Sequence, residues 1–183
     1  MPIQDNMQYL FGNDKAMLKV IELIARCKGI GDLLAEGTAR AARRIGRGAE
    51  NFTLQVKGLE AGMHEPRLKP GLGLGYMVNP HGADHGCNIH DTMYATRVQL
   101  KKLEPLGIIE PLPLDDIGPR KVALFKTIQL QQVVLDSLLL CAFLPYTFEQ
   151  VASVTAAVTG WNTSMVEQLR VAEKILTMAR LFN

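Results

Sequence analysis

The stretch Asn79–Asp91, NPHGADHGCNIHD, holds three of the chain's four histidines, two aspartates and one of its three cysteines within thirteen residues. Imidazole exchanges protons near neutral pH and, like thiolate and carboxylate, ligates metals. His81 and His85 are four residues apart, the spacing at which two helical histidines share a zinc ion, and Cys87 is at hand as a third ligand. Pro80, Gly82 and Gly86 argue against a regular helix there, and no paired-cysteine spacing supports a structural zinc site. Chemistry alone leaves two other readings open. One is a loop carrying a single functional histidine as proton carrier; the other is a glycine-rich polar turn whose side chains satisfy the backbone.

A second constellation is Leu135–Cys141, LDSLLLC. A lone carboxylate inside an apolar run is unfavourable unless something binds it, so Asp136 calls for a protein donor or a ligand with N–H groups. Cys141 reads either as an inert buried cysteine or as a soft ligand to iron, and one cysteine does not hold a cluster alone.

The elements that must position these groups are mostly helical. Asn13 is placed as N-cap of a helix over AMLKVIELIARCKG, whose apolar stripe is Leu18, Ile21, Ile24 and Ala25 and whose stop is Lys28-Gly29. Gly31-Asp32 opens a helix over LLAEGTARAARRIG, with Arg40, Arg43, Arg44 and Arg47 on a solvated face and a stop at Gly46 or Gly48. Phe52–Lys57 alternates like a short strand. The segment from Gly58 to Gly82 is dense in breakers and reads as a long Gly-rich loop. Gly71, Gly73 and Gly75 do not match a dinucleotide fingerprint, but they permit close approach of a neighbouring helix or a bulky cofactor. Pro119 opens a long helix, Thr147 with Gln150 and Ser164 with Glu167 form capping boxes, and Gly160 closes the helix between them. Val166, Leu169, Val171, Ile175, Met178 and Leu181 give the last helix an apolar face; Met17, Met165 and Met178 read as core filler. The fold class is therefore mostly α: irregular, bundle-like helical domains with a long Gly-rich loop and at most a short strand.

With 48% hydrophobic residues the 183-residue chain has enough apolar material for a core, and a net charge of +2 gives no bulk electrostatic case for nucleic acid or membrane surfaces. The N-terminal residues lack the apolar core of a signal peptide, and VVLDSLLLCAFLP is short of the ~20 apolar residues of a membrane span. Cys27, Cys87 and Cys141 lie too far apart for a disulfide framework, which suits a reducing, cytoplasmic setting.

GDLLAEGTARAARRIG, VKGLEAGMHEPRLKPGLGLGYMVNPHGADH, DSLLLC and ARLFN come in the order found in the tungsten-containing aldehyde ferredoxin oxidoreductases. From about Phe11 to Asn183 the chain resembles part of that family's two helical domains, residues 1–78 corresponding to part of the second domain and 79–183 to part of the third. The resemblance implies a tungsten (or molybdenum) bis-pterin, a neighbouring 4Fe-4S cluster, oxidation of aldehydes to carboxylic acids and ferredoxin as electron acceptor. The second pterin motif of the family, D-x-x-G-L-C, corresponds to Asp136–Cys141. Asp136 would accept pterin N–H groups, Leu140 would lie beside the cofactor, and Cys141 would ligate the cluster. A pattern like R-G-A-C-H corresponds to His81–His85, which would set His85 over the metal to polarise a carbonyl or carry a proton. His81 and Asp84 replace the family's arginine and cysteine; His90 and Asp91 read as structural or rim residues. Leu139 stands where the family has glycine. The cysteine run for the other cluster ligands, the first pterin motif and the β base domain are not found in this sequence. The resemblance thus implies a piece of the enzyme, oligomeric, with a separately encoded remainder of the enzyme as its partner. A tungsten-dependent aromatic acyl-CoA reductase and an inactive helical interaction module are the alternatives.

Overall fold

Residues 10–183 are described by a computed structural model. The chain forms two compact units, one up to Glu60 and one over Ala61–Asn183. As expected, it is mostly α. Among the described residues there are seven α-helices and three 3₁₀ turns, and the strands form a single hairpin of two residues each.

The first unit carries α1 (Asp14–Ala25), α2 (Ile30–Ala35), α3 (Thr38–Ile45) and the antiparallel pair β1 (Gln55–Val56) and β2 (Leu59–Glu60). Asn13 caps α1 as the sequence predicts: its side-chain oxygen accepts the Ala16 N–H at 3.0 Å. The helix predicted to run unbroken through Gly37 is instead two helices. Gly37 adopts φ +83°, a left-handed conformation that interrupts the helix, and the Glu60 carboxylate receives the Thr38 N–H at the start of α3. The four arginines are solvated, as predicted. The α1 stripe is not buried within the unit: Leu18, Ile21 and Ala25 are exposed, Ile24 is half-buried, and the buried residue of the helix is Ala16, outside the stripe. Met17 and Met178, read as core filler, are 57% and 62% exposed, and only Met165 packs against the core.

The second unit is built from α4 (Pro70–Val78), α5 (Pro119–Ser137), α6 (Phe148–Thr159) and α7 (Met165–Phe182). Its core gathers Ile89, Tyr94, Leu100, Leu103, Leu112, Leu124, Phe125, Ile128 and Phe148. The Gly-rich segment expected as a loop is in fact helical at α4. Two features compensate for the low helix propensity of three glycines. Pro70 stands in the first turn, and the Asp91 carboxylate accepts the orphan N–H groups of Gly71 (3.1 Å) and Leu72 (3.0 Å). The glycines serve close approach. A Cβ on Gly75 would lie 1.9 Å from Asn88 Oδ1, and one on Gly71 would lie 2.8 Å from Asp91 Oδ1. The surface that these two glycines meet is therefore the chain's own 88–91 segment. Both predicted capping boxes are present, at Thr147/Gln150 and Ser164/Glu167. Of the predicted α7 face, Leu169 packs against the core while Val166, Val171, Met178 and Leu181 are exposed.

The end of α5 decides how Asp136–Cys141 is presented. Leu140 N–H bonds to Leu135 C=O (2.9 Å) and Leu139 N–H to Asp136 C=O (3.2 Å), the paired bonds of a Schellman stop. Leu139 occupies its left-handed position, φ +57°, where glycine is ordinarily placed, and its side chain is 93% exposed. The leucine thus keeps the turn and carries backbone strain without compensating burial. Leu139→Gly is expected to stabilise the chain by about 0.5–1 kcal/mol, read as a higher urea midpoint with unchanged slope. A lower midpoint would show that the leucine side chain contributes more than its exposure indicates.

No helix among the described residues is long and apolar enough to cross a membrane.

Candidate functional site

The 79–91 segment leaves α4 as an irregular loop, so His81 and His85 do not share a helical face. Much of its polarity satisfies backbone. Asn79 Oδ1 accepts the His81 N–H (2.9 Å), Asp84 Oδ1 accepts the Gly86 N–H (2.8 Å), and buried Asn88 donates to Leu72 C=O (3.0 Å). The grouping of ligand-type atoms also differs from the sequence spacing. His81, Asp84 and Cys87 each bring one donor atom within 4.8 Å of the others, and His85 is not among them.

His85 instead joins a histidine cluster. Its ring centroid lies 4.8 Å from that of His64 and 6.2 Å from that of His90, while His64 and His90 are 4.5 Å apart. Gly62 makes room for it: a Cβ there would sit 2.8 Å from His85 Nδ1. His64 was missed in the sequence because it lies 21 residues before His85, outside any local motif. Its position after the hairpin in a turn-rich segment gave no signal of proximity.

His85 and His90 line a cleft of about 640 Å³ whose other walls include Lys102, Gln132, Phe143 and Tyr146. The volume is in the range of small-molecule sites. Burial lowers the pKa of Lys102. It also lowers that of His90, helped by the nearby positive charges of His64 and Lys69 and opposed by a hydrogen bond to the His85 main chain. Because the folded pKa of His90 lies below its ordinary 6.5, the unfolded chain takes up this proton first. The contribution of His90 to stability is then full above pH ~6.5 and is lost as pH falls towards the folded pKa. Urea midpoints measured from about pH 7.5 down to about pH 5.5 should fall less steeply for His90→Gln than for the parent. Equal slopes would contradict a neutral folded imidazole.

Asp136 and Cys141 are not sunk in apolar packing, as the sequence led us to expect. Both are exposed, and Leu140 is half-buried. The reason is helix termination: the run turns out of α5 after Ser137, so its apolar neighbours Leu139 and Phe143 are exposed as well. Asp136 nevertheless has protein donors. Gln132 Nε2 reaches Oδ1 at 2.9 Å and the Cys87 thiol reaches Oδ2 at 2.9 Å. Burial first, then the Asp136 carboxylate, push the Cys87 pKa well above the usual thiol range. Neither Asp136 nor Cys141 lines the cleft itself; Gln132, bonded to Asp136, and Ala142, next to Cys141, do.

Residues 3–183 match the model of the family described as aldehyde ferredoxin oxidoreductase, domains 2 & 3. The chain belongs to the aldehyde ferredoxin oxidoreductase family. It is 32% identical over 181 residues to the tungsten-containing aldehyde ferredoxin oxidoreductase of Thermococcus kodakarensis and 30% identical over 181 residues to that of Pyrococcus furiosus, in each case over 98% of this chain. An 81-residue stretch, 41% of the chain and 13% of the relative, is 38% identical to an aliphatic sulfonate oxidoreductase, WOR-like subunit, of Pyrococcus furiosus. The chain spans 28% of the length of the two aldehyde ferredoxin oxidoreductases.

Proposed function

We propose that this chain is the part of a tungstopterin aldehyde oxidoreductase that supplies one pterin contact, one cluster thiolate and the proton carrier at the substrate, with electrons passed to ferredoxin. In this reading residues 1–78 and 79–183 are portions of the family's second and third domains. The remaining cofactor ligands come from the rest of the enzyme, in an oligomer or on a separately encoded partner.

The observation that carries this reading is the exposed turn ending α5. It presents the Asp136 carboxylate and the Cys141 thiol at the surface rather than in packed interior. Each Asp136 oxygen has one protein donor and spare lone pairs, which fits an N–H-rich ring such as a pterin. Cys141 fits one ligand position of an iron-sulfur cluster, which takes four. Among the described residues no set of three metal-ligating groups includes it, so the residues of this chain do not fit a complete cluster.

When bound, the tungsten centre would supply Lewis acidity and accept two electrons from the aldehyde. Asp136 would orient the pterin edge. His85, exposed at the cleft and held against His64 and His90, would carry a proton to or from the substrate oxygen. Leu135, buried in the cleft wall, would give the substrate an apolar contact.

The test uses the protein purified in its native assembly from cells grown with tungstate. Tungsten and iron should be present, and aldehyde should drive reduction of a viologen dye. His85→Ala should keep the metals and slow turnover by about 10²–10⁴-fold, whereas Cys141→Ser should lose iron. Absence of tungsten, or equal metal loss in both variants, would refute the assignment.

A further inference from the structure

We propose that His81, Asp84 and Cys87 form a binding site for one divalent transition-metal ion of zinc type. The site does not take Asp136 or Cys141 as ligands and does not depend on the assignment made for them above, although Asp136 touches it through the Cys87 sulfur.

Three observations converge. The donor atoms of the three side chains lie within 4.8 Å of one another. Donors around a tetrahedral zinc ion, 2.0–2.3 Å from it, are spaced about 3.3–3.8 Å apart, so small side-chain rotations close the site. The donor set, one imidazole, one carboxylate and one thiolate, is of the borderline kind that selects zinc over magnesium or calcium. Asp84 and a deprotonated Cys87 together carry two negative charges, which neutralise a divalent ion. On binding, a sulfur–metal bond forms and the S–H bond breaks; its proton passes to Asp136 Oδ2, the acceptor it already faces, and from that exposed carboxylate to solvent.

The supporting groups are already placed. The Gly86 N–H holds Asp84 Oδ1 (2.8 Å), and the Asn79 side chain holds the His81 main chain (2.9 Å). Asp136, from α5, meets the sulfur at 2.9 Å but is not among the atoms within mutual reach. It therefore stands outside the coordination shell and the fourth position is left to solvent. The sequence spacing paired His81 with His85; the turn at Asp84 replaces His85 with a carboxylate.

The experiment is a cobalt(II) titration of the chelator-stripped chain followed by absorbance, with zinc as competitor. Cobalt should bind one per chain, giving a thiolate-to-metal charge-transfer band and the visible bands of tetrahedral cobalt, and zinc should displace it. Cys87→Ser should abolish the charge-transfer band. His81→Ala should weaken binding by more than the roughly 10–100-fold that loss of a supporting hydrogen bond costs. The double variant His64→Ala/His90→Ala and the single variants Cys27→Ser and Cys141→Ser should retain both bands. Far-ultraviolet circular dichroism of each stripped variant identifies any that fail to fold. In that event Asp84→Asn, which keeps the shape of the side chain, takes its place and should also weaken binding. No charge-transfer band in the parent, an unchanged band in Cys87→Ser, or loss of the band in the His64/His90 or Cys141 variants would overturn the proposal.

Discussion

Replacing Asp91 with alanine is expected to destabilise the chain by about 3–5 kcal/mol, a large fraction of the roughly 5–15 kcal/mol that keeps a typical domain folded. Asp91 is 1% exposed and Lys121 is 3% exposed, and they meet at 2.7 Å. A buried ion pair of this kind is weak evidence for stability as such, because desolvation opposes the attraction; removing one partner is another matter. Asp91→Ala strands the ammonium group with only the carbonyls of Pro113 (3.0 Å) and Leu114 (3.4 Å). It also orphans the two N–H groups at the start of α4. Each buried unsatisfied donor adds roughly 1–3 kcal/mol, so the loss should fall at the upper end of the range. Equilibrium urea unfolding measures it. Lys121→Met in the Asp91→Asn background should recover part of the loss, since no buried charge then remains and asparagine still accepts one N–H. A loss below about 1 kcal/mol for Asp91→Ala, or no recovery in the double variant, would show that the pair does not organise α4. The consequence reaches the site. Asp91 directly follows His90, so the carboxylate that starts α4 also anchors the loop bearing His85 and His90.

The legible parts of the fold are those written in local chemistry. The caps at Asn13, Thr147 and Ser164 follow from side-chain oxygens placed one turn before their backbone donors. The proline at position 119 marks the start of α5 for the same local reason. What was not legible depends on partners distant in sequence. Helix α4 forms in a Gly-rich segment because Asp91, some twenty residues on, satisfies its first turn. His64 meets His85 and His90 because Gly62 leaves space for a ring. The helix through Gly37 breaks because that residue takes a left-handed conformation beside the Glu60 carboxylate. For the candidate site, the sequence picked out His85, Asp136 and Cys141 by residue type and by resemblance. It misjudged the burial of the latter two, since hydropathy of a run does not reveal that the run turns away from the helix core at Leu139. The exposed α1 stripe makes the same point. A period of 3.6 residues predicts an apolar face, and only tertiary structure decides what covers it.

Gly31→Ala separates local propensity from packing more sharply than any other single change, because the two predict opposite signs. Gly31 lies inside α2, where alanine is favoured over glycine by about 1 kcal/mol. A Cβ at this position would nevertheless lie 2.1 Å from the Leu23 carbonyl carbon, 2.2 Å from its oxygen and 2.6 Å from the Ile24 nitrogen. All three atoms are main chain of α1, so no side-chain rotation relieves the overlap, and the two helices must move apart. Overpacking of this kind costs typically 1–3 kcal/mol and more where backbone is displaced; a loss of about 3 kcal/mol is expected, against a gain if propensity ruled. Hydrogen exchange should place the effect in the amides of α1 and α2. The Gly31 N–H, bonded to Lys28 C=O at 2.9 Å, should be among the first to lose protection. A neutral or stabilising result would mean that α1 and α2 do not pack backbone to backbone at Gly31. The opening glycine of GDLLAEG would then be free to vary, and the close helix crossing would lose its physical explanation.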